Sequence, residues 1–145
     1  MTRVKSERLN IAAEISAAAR SLGDTDPEIE ERELDGGGWM TDFVIRVDDE
    51  DVELDVMHYA RVAPSARLTL EGWQFEQVAA SDLRQVITKI LSGEAVIKPR
   101  RTFFRRPDHV LEVATRTGTY YGSSESFSKE RAAVWETRLL LTPES

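Results

Sequence analysis

The chain has 145 residues, 41% of them hydrophobic and 31% charged, a formal net charge of −7 and no cysteine. Such a length suits one domain with its own core, and the composition is that of a globular rather than a disordered chain. The missing thiols exclude a disulfide framework, an iron–sulfur cluster, a thiolate zinc site and a cysteine nucleophile, and the acidic balance argues against nonspecific attachment of the whole surface to nucleic acid.

From Ser6, apolar positions at Leu9, Ile11, Ala12, Ile15, Ala18, Ala19 and Leu22 recur at helical spacing. Ser6 or Asn10 is the expected cap, and Gly23 follows the last apolar residue, where a left-handed cap is usual. Residues 24–38 are acid-rich, with Pro27 and the run Gly36-Gly37-Gly38, and read as a connection that holds a short strand around Ile29 to Leu34. Trp39, Thr41, Phe43, Ile45 and Val47 then alternate with Met40, Asp42, Val44 and Arg46, which predicts a strand. After a polar turn at Asp48 to Asp51, Val52, Leu54, Val56 and His58 alternate with Glu53, Asp55, Met57 and Tyr59, completing an antiparallel hairpin. Arg67 to Glu71 gives a third strand, and Gly72-Trp73-Gln74-Phe75 reads as a corner.

Ser81 is placed to cap a second helix whose buried stripe is Leu83, Val86, Ile87, Ile90 and Leu91, with Gly93 at its end. Ala95 to Phe104 reads as a strand broken by Pro99, hence an edge or bulged one. His109 to Thr115 returns, and Thr117 to Tyr121 extends it or adds another strand. The C-terminal segment fits an amphipathic helix from near Ser124–Ser128 to Leu140, with a strand as the competing reading because Ala133, Trp135, Thr137, Leu139 and Leu141 also alternate. The expected fold is α+β over 1–145 as one domain: an antiparallel sheet, a meander plus a second hairpin, with two or three helices packed on one face.

Catalytic and metal-binding patterns are weak. His58 and His109 are the only histidines, without a second ligand at helical zinc spacing, and His58 falls on the apolar side of its strand. The acids of 48–55 lack the order of a calcium loop. Ser123, Ser124, Ser126 and Ser128 stand in no nucleophile elbow. The three glycines precede a strand, whereas a phosphate loop opens a helix. No cofactor or metal is expected, and the balance favours binding over turnover.

Charge is the distinctive feature. Residues 24–35 carry Asp24, Asp26, Glu28, Glu30, Glu31, Glu33 and Asp35 against Arg32 alone, and 48–55 carry Asp48, Asp49, Glu50, Asp51, Glu53 and Asp55. Residues 98–106 hold Lys98, Arg100, Arg101, Arg105 and Arg106 around Phe103-Phe104. The expected contact residues are Glu28, Glu30, Glu31, Asp48, Asp49, Glu50 and Asp51, together with Arg100, Arg101 and Arg105. The function these suggest is a small acidic inhibitor of the immunity or antitoxin kind, engaging a basic protein partner through complementary charge. Two alternatives compete: a small-molecule pocket or active site between sheet and helices, lined by Trp39, Tyr59 and Trp73, and a nucleic-acid adaptor working through 98–106. No apolar run approaches the ~20 residues that span a bilayer and the N-terminus lacks a secretory stretch, so a cytoplasmic location is expected.

Overall fold

The computed structural model describes residues 2–59, 65–100, 108–124 and 127–140. Helix α1 (Thr2–Ser21) is followed by β1 (Glu28–Leu34), β2 (Gly38–Val47), β3 (Glu50–Tyr59), β4 (Ser65–Leu70) and β5 (Trp73–Ala79). Helix α2 (Leu83–Leu91), β6 (Val96–Arg100), β7 (Asp108–Ala114), β8 (Thr119–Ser123) and the four-residue α3 (Val134–Thr137) complete the order. The α+β class with an antiparallel sheet holds: the eight strands join in the order β1-β2-β3-β4-β5-β8-β7-β6, every pairing antiparallel. No described helix is long and apolar enough to cross a membrane.

Turn chemistry sets the registers. The β2–β3 hairpin turns on Asp48 and Asp49 alone, at φ 50° and 65°. This is the left-handed two-residue turn that matches strand twist and that aspartate tolerates. The β4–β5 hairpin uses Glu71 at φ 45° and Gly72 at φ 96° in the same way. The expected corner at 72–75 is therefore corrected: the chain turns at Glu71-Gly72, and Trp73 already belongs to a strand. A register shift between Ala66 and Leu68 leaves Glu76 and Gln77 together on the bulged β5 opposite Arg67.

Three further expectations change at element ends. Helix α1 starts at Thr2 rather than Ser6. Ser81 lies inside a 3-10 turn (Ala80–Asp82), and Asp82, the residue before α2, makes no side-chain capping bond. The long C-terminal helix is instead a 3-10 turn at Lys129–Arg131 followed by α3. Both long helices stop as their glycines predict. Asp24 N–H donates to Ala19 O (2.9 Å) across Gly23, and Glu94 N–H donates to Lys89 O (2.7 Å) across Gly93.

Alternation along the strands divides their residues into two sets. Thr41, Phe43, Ile45, Val52, Leu54, Val56, Leu68, Leu70, Trp73 and Phe75 are buried, and the apolar ones share one cluster with Ile15, Ala18 and Ala19 of α1 and Leu83, Ile87 and Ile90 of α2. Each such aliphatic or aromatic side chain contributes roughly 1.5–3 kcal/mol relative to exposure. The other set on β1 to β4 is mostly polar and closer to solvent: Glu28, Glu30, Arg46, Asp51, Glu53 and Arg67 are exposed, and Asp42 and Asp55 are half-buried, as are Met40, Val44 and Met57 among them.

Candidate functional site

The two-residue turn at Asp48-Asp49 fixes which polar side chains meet. It places Asp42 opposite Asp55 and Val44 opposite Glu53. The β1–β2 register sets Glu30 opposite Asp42 and Glu28 opposite Val44, and the β3–β4 register sets Asp55 opposite Thr69. Glu30, Asp42 and Asp55 thus form a row of three carboxylates on adjacent strands, at the roughly 4.5–5.5 Å spacing of directly opposed side chains. Like charges in that arrangement oppose folding.

Around this row the strands form a shallow groove of about 600 Å³, whose acidic lining is Glu28, Glu30, Asp42, Glu53, Asp55 and Glu71. Val44, Thr69 and Gly72 also line it, together with Ile29, Phe43 and Leu54. Burial, and then the neighbouring Asp42 carboxylate, hold the Asp55 carboxyl above its ordinary range despite Arg32, Arg67 and a hydrogen bond with Thr69. Cations stand at the margin: Arg32 lies 3.5 Å from Asp42, Arg46 lies 3.0 Å from Asp51, and Arg67 lies 3.4 Å from Glu76. All three are half-exposed pairs, of the kind worth no more than about 1 kcal/mol each.

The expected contact residues divide. Glu28 and Glu30 line the groove. Glu31 sits opposite Thr41, on the other side of the sheet. Asp51 shares the polar side but pairs with Arg46, and Asp49 projects fully into solvent 4.0 Å from the same arginine. Asp48 pairs with Arg138 (2.5 Å). Both Glu50 oxygens accept backbone N–H groups at the start of α3, from Val134 and Trp135 at 3.2 Å each, so this side chain anchors the C-terminal segment. Arg101 and Arg105 lie outside the described residues, as does the Arg100 side chain. Lys98 forms a 2.5 Å ion pair with Glu112 on the neighbouring strand. The expectation of a contact at 98–106 therefore falls almost wholly outside what is described.

Glu53 and Asp55 belong to the acidic stretch 48–55, whereas Asp42, which completes the row, and Glu71 lie outside both acidic stretches. Counting outward from a two-residue turn at 48–49 is the signal that finds Asp42, because that register alone brings Asp42 and Asp55 together. Glu71 joins through its own turn. Its Oε2 accepts the Glu53 N–H (3.1 Å) and its Oε1 accepts the Trp135 indole N–H (3.4 Å).

Elsewhere the polar clusters are structural. Asp82 Oδ2 accepts the hydroxyls of Thr117 (2.6 Å) and Tyr120 (2.7 Å), tying the turn before α2 to β8. Trp73, one expected pocket wall, is fully buried, with its indole N–H on Glu136 Oε2 (2.7 Å) and its ring tilted against Phe127. His58 is buried on β3, whereas His109 lies edge-on to Phe127 on β7. No described group of three or more acids or histidines is arranged to hold a metal ion. No family model matches the chain, and no curated protein or solved structure matches it significantly.

Proposed function

We propose that this chain is a non-catalytic binding protein, an acidic inhibitor of the immunity or antitoxin kind, which caps a basic protein partner with the polar side of strands β1 to β4. In this reading the helices cover one side of the sheet and leave the other as the working surface. The observation that carries it is the row Glu30–Asp42–Asp55 at the centre of an acid-lined groove. Opposed carboxylates cost folding free energy, and a cationic ligand removes that repulsion when it binds. The same field steers a basic partner and makes the encounter sensitive to salt.

The test is a comparison of two variants as bait in extract from the cell that makes the protein. One variant reverses Asp42, Glu53 and Asp55 to Lys. The other reverses Asp35, Glu94 and Glu130, three exposed acids outside the groove lining, so both carry the same net charge. The expected result is a basic protein retained by the wild type and the second variant and lost by the first. Equal retention by all three would overturn the reading.

A further inference from the structure

A second groove, of about 400 Å³, lies between the end of α1, helix α2 and the turn that joins β7 to β8. Arg84 and Lys89 of α2 and Arg116 of the turn line it, and Asp82 and Glu94 are the carboxylates among its described lining residues. Cations thus outnumber acids three to two there, whereas the chain as a whole has 19 basic residues against 26 acidic ones. The remaining described lining residues are serines, a threonine and a glutamine, with no apolar side chain among them.

Hydrogen bonds fix the turn against α2. Arg116 N–H donates to Gln85 Oε1 (3.1 Å), Lys89 Nζ donates to Ala114 O (2.8 Å), and the Thr117 hydroxyl donates to Asp82 Oδ2 (2.6 Å). Thr115 closes the turn itself, donating its N–H and its hydroxyl to Gly118 O (2.7 and 2.8 Å). Both acids are engaged: Asp82 Oδ2 also accepts the Tyr120 hydroxyl (2.7 Å), and Glu94 Oε2 accepts the Ser92 hydroxyl (3.0 Å). The cations keep donors to spare. Lys89 spends one N–H on Ala114, and the Arg116 guanidinium pairs with no acid among the described residues. Arg84 shares Glu14 at 3.4 Å, in an exposed pair that a stronger anion displaces at little cost.

We infer that this groove is a binding site for a small phosphate-bearing anion. A guanidinium presents a planar fork that matches two phosphate oxygens, and an ammonium adds a compact point charge. A dianion is the ligand that engages more than one of these cations at once. A lining without apolar side chains offers an aromatic base nothing to stack on, so the carrier of the phosphate is a polyol rather than a nucleoside. The groove has the opposite charge balance to the acidic groove of β1 to β4 and shares none of its lining residues, so the inference stands apart from the proposed function.

The experiment titrates the whole chain at low salt with glycerol 3-phosphate, inorganic phosphate and glycerol, followed by calorimetry. It is repeated on Arg116→Gln and on Lys129→Gln, which alters an exposed cation outside the lining. The expected result is that the wild type binds glycerol 3-phosphate or both phosphates, but not glycerol. Arg116→Gln should weaken that binding about tenfold or more, through loss of a charged hydrogen bond, and Lys129→Gln by less than about twofold. An unchanged melting midpoint shows that Arg116→Gln is folded; if the midpoint falls, Arg84→Gln carries the same comparison. Tighter binding of glycerol 3-phosphate than of phosphate assigns a phosphorylated metabolite, and equal binding assigns the free ion. Failure of both phosphates to bind, or equal weakening by the groove variant and Lys129→Gln, would overturn the site.

Discussion

Asp55 shows at a single residue how the polar side of the sheet departs from what folding alone would favour. Its carboxyl is held above its ordinary range by burial and by Asp42. The native state therefore binds this proton more tightly than the unfolded chain does. The sign follows from linkage: at neutral pH the ionised group counts against the fold, and the penalty is relieved as pH falls through its native titration. Asp55→Asn should raise the thermal midpoint at neutral pH by well under about 1 kcal/mol equivalent, because the site is half-exposed and screened. The gain should vanish in acid, where the wild-type group has taken up its proton. Melting curves across pH check this, and a lower midpoint at neutral pH would mean that the carboxylate supports the fold.

At the scale of elements, the seam between β5 and β8 is the weakest join in the sheet, with Gln74↔Ser123 as its one register pair. Packing compensates there. The Phe75 ring fills the space above Gly122, where an added Cβ would stand 2.6 Å from the ring Cζ. Gly122→Ala should destabilise the fold by about 1–3 kcal/mol, as overpacking of a tight interior does. Pairing it with Phe75→Leu should cost less than the sum of the two changes; strict additivity in denaturant melts would show that the two do not press on each other. The C-terminal segment is held differently, by carboxylates. Glu136 Oε1 accepts the Ala133 N–H (2.7 Å) while Oε2 holds the buried Trp73 indole. Glu136→Ala should cost about 1–3 kcal/mol because both donors lose their partner, and Glu136→Gln should cost less because one acceptor remains. Equal midpoints for Glu136→Ala and wild type would remove this latch from the account.

These elements also show where sequence reading stops. The β2–β3 hairpin is legible because ten-residue strands alternate cleanly about a polar turn. Strand β5 escapes because its bulge spaces the buried residues as Trp73, Phe75 and Val78, two apart and then three, which breaks the alternation. Helix α3 escapes because four residues carry no periodicity. The segment takes its shape from Glu50, far back in the chain, and from Glu136. The acidic stretches 24–35 and 48–55 are plain in the sequence, yet the groove draws on one side of four strands, so contiguity in sequence favours Asp48 to Asp51, at the turn and the start of β3, and passes over Asp42 and Glu71.

For the molecule as a whole, the net charge of −7 matters less than its placement. Six carboxylates line one groove, while arginines remain at the groove margin. Carboxylates set directly opposite one another oppose folding, a repulsion that the proposed basic partner would relieve. The most direct test is an amide-exchange footprint of the chain with the basic partner that the proposed function requires, compared with the chain alone. The account predicts slowed exchange in residues 28–34, 38–47 and 50–59, weakening as salt is raised. A footprint on α1 and α2 that leaves those strands unchanged would contradict it.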